Sequence, residues 1–357
     1  MIQGISLALE HILEAGNSAP SGENCQPWRF VVHRETIEVH LLSERDQSAY
    51  SWGQRASFLA SGAVIENMVI AASVEGYRAD VVYFPNRDDR WHVANICLEK
   101  DDGVKIDPLA IFITKRITNR KAYANDSLTS NERKAFLSAA HVDSDFFLTE
   151  KRDDINRLGR IGSTNEEVML TNRELHNFFF GHVNWTKEED EKKKVGFYIK
   201  TLELPPPAEI MFKGFRHWPM MRILGAIGFN RIVAKQNGAT NASAAAIGAL
   251  MIADTEPLDF VKIGRTIERL WLTATSLGLS FQPLTGVLFF RLKIVAEERE
   301  VFSHREQKLI TDAYQEASQI LKADGKHIAF MFRTGRGDAP SAHAVRFPLD
   351  EVVKVVR

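Results

Sequence analysis

Two stretches of the sequence, 202 positions apart, align without gaps, and this internal similarity limits the folds open to the chain. Residues 62–77 read GAVIENMVIAASVEGY, and residues 264–279 read GRTIERLWLTATSLGL. The identical pairs are Gly62 and Gly264, Ile65 and Ile267, Glu66 and Glu268, Ala72 and Ala274, and Gly76 and Gly278. Each stretch has apolar residues at helical spacing, ends in a glycine suited to a left-handed cap, and leads into a strand-like segment. Amphipathic helices can look alike by chance, but the shared exit favours a duplication with two related halves.

Alternating strand and helix patterns around the two copies predict an α/β or α+β architecture. Residues 1–110 are expected to form a compact first half, with a helix, a strand pair, the repeated helix and two further strands. Residues 111–357 are expected to form a longer second half, which begins with a helix at 112–120. An insertion at roughly 165–245 belongs to this half, and its Pro-, Met- and aromatic-rich part at 202–229 fits a lid over a pocket as well as extra core packing.

Charge and cysteine content exclude several classes of function. The chain of 357 residues has a formal net charge of −1, so no overall field attracts nucleic acid or an anionic membrane. The longest run without charge or strong polarity, at 242–253, is too short to span a membrane. Its two cysteines, Cys25 and Cys97, provide neither a disulfide framework nor paired zinc ligands. We therefore expect a cytoplasmic protein without nucleic-acid or membrane partners.

Searches for catalytic motifs give no competing site. The sequence has no HExxH or CxxC motif, no dinucleotide-binding or P-loop glycine pattern, and no GxSxG elbow. Cys25 lies in a polar turn and is a weak candidate nucleophile, since no histidine stands beside it in the sequence. We predict no metal site and no catalytic side chain.

Four segments carry polar side chains suited to binding a ligand. SAPSGENCQPWRF at 18–30 is a turn with Ser21, Asn24 and Gln26 before a strand. KRITNRKAY at 115–123 clusters arginines that match phosphate oxygens or are simply solvated. GLSFQPLTG at 278–286 is a turn with main-chain N–H groups, and the arginines within 330–348 form either an anion site or a basic tail.

Together these segments resemble the nitroreductase (FMN-dependent oxidoreductase) family. APSGENCQPWRF is similar to the family signature aPSxxNxQPWxF, and KRITNRKAY to its N-terminal arginine motif. ERLWLTATSLGLSFQPLTG is similar to the family helix and the turn beside the flavin N5 atom. AHAVRFPLDEV is similar to the C-terminal arginine segment of the family.

The order of these motifs departs from the family pattern. Family members carry the arginine motif before PSxxN and are homodimers with FMN at the interface, whereas here PSxxN comes first and each motif occurs once. The resemblance therefore implies an α+β, nitroreductase-like fold of two fused repeats that form a pseudo-dimer, each repeat a mostly antiparallel sheet flanked by helices. One FMN site is expected to be complete and one decayed. Such twins resemble the Acg-like branch and the modules joined to ThiF-type activating domains.

The resemblance assigns site residues one by one. Arg116, Thr118 and Arg346 would hold the phosphate and ribityl chain, and Arg120 would lie near the N1/O2 edge of the ring. The Pro-Ser loop would close over the flavin, and the 283–286 turn would give main-chain contacts near N5. The full predicted set is Pro20, Ser21, Asn24, Gln26, Arg116, Thr118, Asn119, Arg120, Pro283, Leu284, Thr285, Gly286 and Arg346. The family usually has Glu at the Thr285 position and a second basic residue at the Ala344 position.

The expected function is an FMN oxidoreductase that takes hydride from NAD(P)H and passes it to a small, flat, electron-poor acceptor such as a nitroaromatic or a quinone. The flavin, not a side chain, would perform the chemistry. A flavin-sequestering or regulatory protein is the alternative. The resemblance leaves open a ThiF-type partner or fusion, and a monomeric pseudo-dimer or a homodimer.

Overall fold

The computed structural model describes residues 3–48, 50–140 and 145–356, without the side chain of Arg299. Helices and strands are mixed along the chain, which confirms the predicted α+β class. The strands are β1 (Trp28–His33), β2 (Thr36–Leu41), β3 (Tyr77–Tyr83), β4 (His92–Lys100), β5 (Asp145–Thr149), β6 (Val183–Asn184), β7 (Phe197–Tyr198), β8 (Ala246–Ile252), β9 (Ser280–Pro283), β10 (His327–Gly335) and β11 (Val353–Val355). The helices are α1 (Leu7–Asn17), α2 (Arg55–Val74), α3 (Ser130–Ala139), α4 (Arg152–Gly162), α5 (Thr164–Thr171), α6 (Arg173–Gly181), α7 (Lys187–Lys193), α8 (Pro206–Phe215), α9 (Trp218–Ala226), α10 (Phe229–Ala242), α11 (Pro257–Ser276), α12 (Gly286–Val295), α13 (His304–Leu321) and α14 (Leu349–Val352).

The two larger sheets each contain four antiparallel strands in the same order. In the first sheet, β1, β2, β4 and β3 are neighbours in that order, and in the second sheet the order is β5, β8, β10 and β9. The helix α2 connects β2 to β3, and α11 connects β8 to β9, so equivalent helices connect equivalent strands. This common topology is what a duplication of one α+β unit produces.

The two copies of the repeated stretch, on α2 and α11, pack against each other at their matching glycines. A Cβ built on Gly62 would lie 2.0 Å from the carbonyl oxygen of Val261, and one on Gly264 would lie 1.9 Å from that of Leu59. Leu59 and Val261 are themselves 202 positions apart. The contact is thus reciprocal, as at an interface with two-fold symmetry, and only glycine lets the two backbones approach this closely.

The C-terminal end returns to the first sheet. β11 pairs in parallel with β1, with Phe30 opposite Val353. On the second sheet, Thr118 forms an isolated parallel bridge to Phe281 of β9. The first sheet is therefore extended at an edge by chain from the second half, and the second sheet by the segment that precedes its own strands.

The segment around Thr118 differs from the sequence-based prediction. A helix was expected at 112–120, but the chain forms a 3₁₀ helix over Ala110–Lys115 and is extended at Arg116. The N–H of Asn119 donates to the carbonyl of Phe281 at 3.0 Å, so pairing with the second sheet prevails over the local helical pattern. The arginine segment from Arg116 onward is therefore extended and does not lie on the surface of a helix.

The helical stretch Trp52–Val74 is long and apolar enough to cross a membrane by length and composition. However, 78% of its most apolar 18-residue segment is buried inside the protein. It contains α2, whose residues from Ser57 to Ser73 are almost all buried. The same apolar character is expected of a helix at the centre of a core.

In the first sheet, β1 and β2 are joined by a tight turn. In the second sheet, the corresponding strands β5 and β8 are joined by a long segment. It holds the helices α4 to α10 and the short strands β6 and β7. Its inner side joins a second apolar cluster with β8, α12 and α13. Residues 202–229 contribute Phe215 and Met221 to that cluster, so part of the insertion is core packing.

Candidate functional site

The Pro-Ser loop after α1 is held in a strained, internally bonded conformation. The Oγ of Ser21 accepts a hydrogen bond from the N–H of Gln26 at 2.9 Å. Glu23, Asn24 and Gln26 have φ angles of 49°, 54° and 48°, in the left-handed region that non-glycine residues rarely adopt. Backbone strain of this kind clusters at ligand sites, where the surrounding structure maintains it.

The C-terminal tail binds directly to this loop. Asn24 Oδ1 accepts from Arg346 Nη1 at 2.6 Å, and Asn24 Nδ2 donates to the carbonyl of Val345 at 2.9 Å. Gln26 Oε1 accepts from the N–H of Phe347 at 2.8 Å. The loop near the start of the chain and the arginine near its end are thus one structural unit.

Arg116 is fixed from three sides at the end of the 3₁₀ helix. Its Nη2 donates to the carbonyl of Ser18 at 2.9 Å, its Nε lies 3.0 Å from Glu268 Oε1, and its guanidinium lies 4.6 Å from the ring centroid of Trp271. Glu268 is completely buried on α11. The arginine segment of the sequence therefore reaches the Pro-Ser loop through a hydrogen bond and is anchored to α11 through a buried ion pair.

These elements enclose a cavity of about 320 Å³, at the lower end of the size of small-molecule sites. The predicted site residues that line it are Pro20, Ser21, Asn24, Arg116, Thr118, Arg120 and Arg346. Ser21 and Arg116, on which the sequence-based hypothesis depends, share this cavity. Ser18, Phe197, Thr201 and His343 also line it, and the sequence did not single them out.

Two of the predicted ligands lie behind the cavity wall. The Gln26 side chain is fully buried and also donates to the carbonyl of Lys194 at 2.7 Å. Asn119 is almost fully buried, and its Nδ2 donates to Ser280 Oγ at 2.7 Å and to the carbonyl of Asp338 at 2.8 Å. Both carboxamides are engaged by protein atoms, so they hold the loops and do not line the cavity.

The predicted N5 turn, at 283–286, is absent from the cavity lining within the described part of the chain. Pro283 ends β9, Thr285 precedes α12, and Leu284 is buried in the second apolar cluster. A Cβ on Gly286 would lie 2.3 Å from Asn165 Oδ1. The start of α5 therefore packs against this turn.

Positive charge in the cavity exceeds the negative charge that opposes it. Burial, together with the neighbouring charge of Arg116, lowers the pKa of Arg346 to about 9, although Glu268 opposes the shift. Burial also lowers the pKa of Arg120 to about 10. Glu268 itself has a raised pKa because it is buried, although Arg116 counteracts this. Buried arginines with too little compensating charge are an environment that an anion stabilises.

The matching glutamate of the first copy is in a different environment. Glu66 Oε2 lies 2.8 Å from Arg265 Nε, and Glu66 Oε1 lies 2.6 Å from Arg269 Nη2. Arg269 also contacts Asp107 at 2.9 Å, and Arg265 donates to the hydroxyl of Tyr83 at 2.6 Å. We refer to these five residues as the Glu66 network.

A segment of the insertion, at 194–203, covers the cavity. The N–H of Gly196 donates to the carbonyl of Glu23 at 2.8 Å, and Arg120 Nη1 donates to the carbonyl of Thr201 at 2.9 Å. Phe197 lies with its ring centroid 5.6 Å from the Arg120 guanidinium. We call residues 194–203 the covering segment; its contacts are mostly to backbone, which explains why no sequence motif marks it.

Two further acids, Glu23 of the Pro-Ser loop and Glu166 of α5, are partly buried. Burial raises the pKa of Glu23 to about 8 and that of Glu166, on α5, to about 7. Glu166 is near the positive charge of Arg120, which lowers its pKa, and Asn165 donates a hydrogen bond with the same effect. The sequence gives no signal for either acid, because their burial depends on how the insertion packs.

Comparisons with known proteins give relatives but no matching family model. The chain is 27% identical over 169 residues to the Mycobacterium tuberculosis protein Acg, which carries the name of an NAD(P)H nitroreductase; the match covers 45% of this chain and 50% of Acg. It is 22% identical over 298 residues to an uncharacterized protein of the same organism, MT1398, covering 79% of this chain and 39% of that protein. The FMN-dependent nitroreductase NfnB of Mycobacterium smegmatis, solved in complex with NADPH, is 13% identical with a TM-score of 0.40, covering 70% of this chain and 98% of NfnB.

The chain thus spans half or less of the length of these two curated relatives. The sequence relatives support the predicted assignment to the nitroreductase-like superfamily.

Proposed function

We propose that this nitroreductase-like chain binds FMN in the cavity between the Pro-Ser loop and the arginine segment and acts as an NAD(P)H oxidoreductase. One observation carries the proposal: Arg116, Arg120 and Arg346 line a single cavity together with Ser21 and Asn24. The carbonyl and side-chain contacts that join Arg116 and Arg346 to the loop come from distant parts of the sequence. Bringing several buried arginines together is unfavourable in free energy unless a ligand balances their charge.

The charges favour a phosphate group in this cavity. Arg116 and Arg346 face one buried carboxylate, Glu268, which leaves positive charge that a phosphate would balance. The Nε of Arg346 is buried without a hydrogen-bond partner among the described residues, so it is available to an acceptor oxygen. Guanidinium groups bind phosphate oxygens with two parallel hydrogen bonds, which suits this pair of arginines.

The other lining residues fit the remainder of FMN. The hydroxyls of Ser21 and Thr118 are at the cavity, where they would contact the phosphate or the ribityl chain. Arg120 is held by Thr201 and would stabilise negative charge on the ring edge. Phe197 gives one apolar wall. Gln26 and Asn119 would act by positioning these groups through their buried hydrogen bonds.

Bound FMN would supply hydride transfer between NAD(P)H and a flat, electron-poor acceptor. The protein groups would bind the phosphate, hold the ring and exclude water, and none of them is required as an acid or a base. Direct contact of the 283–286 turn with the ring remains part of the proposal. It requires α5 and its Asn165 to leave room beside Gly286.

A flavin-sequestering or regulatory protein is the second candidate, and the covering segment favours it. Three hydrogen bonds join residues 194–203 to the Pro-Ser loop, through the carbonyl of Lys194 and the N–H of Gly196. Glu203 also binds the N–H and hydroxyl of Ser341, each at 2.6 Å. A wall held this firmly would help to retain a cofactor and would restrict the approach of an acceptor from that side.

An absorption titration distinguishes the candidates. Purified protein mixed with FMN is expected to bind one FMN per chain, and NADPH added without oxygen is expected to bleach the yellow colour, which menadione then restores. One bound FMN that NADPH does not bleach would favour sequestration. No binding of FMN would overturn both. A ThiF-type partner and pairing with a second copy stay predictions from the resemblance, and light scattering with and without such a domain tests them.

A further inference from the structure

A histidine-rich cluster lies on the first sheet, away from the residues proposed to bind FMN. Glu38 and His40 of β2 and His92 of β4 each offer one ligand atom, and these three atoms all lie within 4.8 Å of one another. His33 of β1 adjoins them, with its Nε2 3.3 Å from Glu38 Oε1. None of these residues takes part in the proposed function.

A β-bulge brings the two central histidines together. The pairing of β2 with β4 shifts between Val39 and His40, so that His40 lies opposite His92. Val93 and Ala94 are consequently both fully buried, although neighbouring residues of a regular strand point to opposite faces. His92 is thereby directed to the face that carries Glu38 and His40. Bulges often redirect a side chain at a functional position.

The side chains are close but not locked in an apolar core. His40 Nε2 lies 2.8 Å from Glu38 Oε2, and the rings of His40 and His92 stack with centroids 4.4 Å apart. His92 Nε2 contacts Asn95 Oδ1 at 2.6 Å. The side chains of Glu38 and His40 are each 23% exposed, which leaves a path for an ion and for small rotations that bring the ligand atoms together.

We propose that this cluster is a binding site for a divalent transition metal of the zinc type. His40 Nε2, a ring nitrogen of His92 and a carboxylate oxygen of Glu38 are the ligands, and the metal replaces the proton shared between His40 and Glu38. Two imidazoles and a carboxylate suit Zn²⁺ or its neighbours, whereas Mg²⁺ and Ca²⁺ prefer oxygen ligands alone. His33, beside Glu38, is available as a fourth ligand or as an orienting partner.

The site joins β2 to β4 across the first sheet and therefore couples metal binding to the stability of that sheet. A metal that binds only the folded state stabilises it by RT ln(1 + [M]/Kd), so the melting temperature rises with the logarithm of the free metal concentration once that concentration exceeds the Kd. Mg²⁺ at the same concentration is expected to leave the melting temperature unchanged.

The test is a titration of untagged, metal-stripped protein with Zn²⁺, followed by calorimetry, and with Co²⁺, followed by visible absorption. We expect one ion per chain and, with Co²⁺, absorption bands of a site with nitrogen and oxygen ligands. His40→Ala, His92→Ala and Glu38→Gln are each expected to weaken Zn²⁺ binding at least about tenfold. Glu38→Gln keeps the shape of the side chain, so it guards against loss of binding through misfolding.

The matched control is His11→Ala. His11 Nδ1 lies 2.8 Å from Glu75 Oε1, which is a histidine–glutamate pair of the same separation. This variant is expected to bind Zn²⁺ as the unaltered protein does. The proposal is overturned if no stoichiometric ion binds, or if the three cluster variants bind Zn²⁺ as tightly as the control.

Discussion

Glu66 and Glu268 occupy matching positions of the two repeated helices, yet their surroundings are opposite in character. Glu66 is bonded by Arg265 and Arg269 of the other helix. Glu268 faces Arg116, which comes from the arginine segment and not from the other helix. The positions on α2 that match Arg265 and Arg269 are Ala63 and Asn67, which carry no charge.

The pKa values of the arginines express the same contrast. Burial lowers the pKa of Arg265 and of Arg269, but Glu66 and its neighbours raise both by more, so the net shift is upward. On the cavity side the net shift of Arg346 is downward. The Glu66 network is thus electrostatically complete, whereas the cavity side is complete only with an added anion. This contrast is what the proposed single FMN site on the cavity side predicts.

The largest effect is expected where the two copies touch. Gly264→Ala would place a Cβ 1.9 Å from the backbone oxygen of Leu59, and Gly62→Ala would do the same 2.0 Å from that of Val261. Backbone cannot move aside as a flexible side chain can, so each change should lower the free energy of unfolding by about 3 kcal/mol. Urea denaturation measures it.

Gly225→Ala is the control, because a Cβ there meets no atom within 4 Å. It should be neutral or stabilise by up to about 1 kcal/mol. A loss below about 1 kcal/mol at both Gly62 and Gly264 would contradict the reciprocal helix contact.

The next effect separates the two arginine environments. Arg346→Ala removes a charge-assisted contact to the proposed phosphate and should weaken FMN binding by about 1.5–3 kcal/mol, or roughly 10- to 150-fold in Kd. Arg116→Ala should act similarly. Arg269→Ala removes a charge of the Glu66 network and should lower stability without changing the Kd for FMN. Fluorescence titration gives the Kd for FMN. If Arg346→Ala and Arg269→Ala weaken FMN binding equally, the two arginine environments do not differ in their role in binding.

The fold could be predicted from the sequence more fully than the site could. The 202-position similarity led to two related halves, and the Pro-Ser and arginine motifs led to residues that do share a cavity. The sequence motif does not show that Ser21 lines the cavity whereas Gln26 lies behind its wall. That distinction depends on tertiary contacts with the C-terminal tail.

Long-range pairing also escaped the sequence-based prediction. The extended course at Arg116 arises because Thr118 pairs with Phe281 of a distant strand. The covering segment binds the loop through backbone groups such as the N–H of Gly196, which any sequence supplies. Glu268 was noticed only as an identity with Glu66, since its ion pair with Arg116 requires the folded structure.

A smaller effect concerns the acids of the two sides. Glu166 has a pKa raised to about 7 by burial, so its stabilising contribution is complete below about pH 4.5 and is lost as the pH rises through 7. Because the side chain is only partly buried, we expect a loss of about 1 kcal/mol between pH 5 and pH 8.5. Among the described residues, Arg120 and the partly buried Tyr50 are charged or titratable groups that interact with Glu166.

Substitution by glutamine should act in opposite directions on the two sides. Glu166→Gln should flatten the pH dependence and stabilise the protein above pH 7, while Glu66→Gln should destabilise it near pH 7 by depriving two arginines of their anion. Thermal melts across the pH range measure both. A pH dependence that is unchanged in Glu166→Gln would assign it to other groups, such as Glu23.

The smallest effect is expected at Ser21, whose hydroxyl both holds the Pro-Ser loop and faces the cavity. Its Oγ accepts from the N–H of Gln26 and also lines the cavity. Ser21→Ala should weaken FMN binding by about 0.5–1.5 kcal/mol, the size of a neutral hydrogen bond and less than the loss in Arg346→Ala. Ser21→Thr keeps the acceptor for Gln26, so it should retain most of the binding if the hydroxyl acts mainly by holding the loop. If Ser21→Thr binds FMN as poorly as Ser21→Ala, the added methyl group obstructs the cavity and Ser21 lies against the ligand itself.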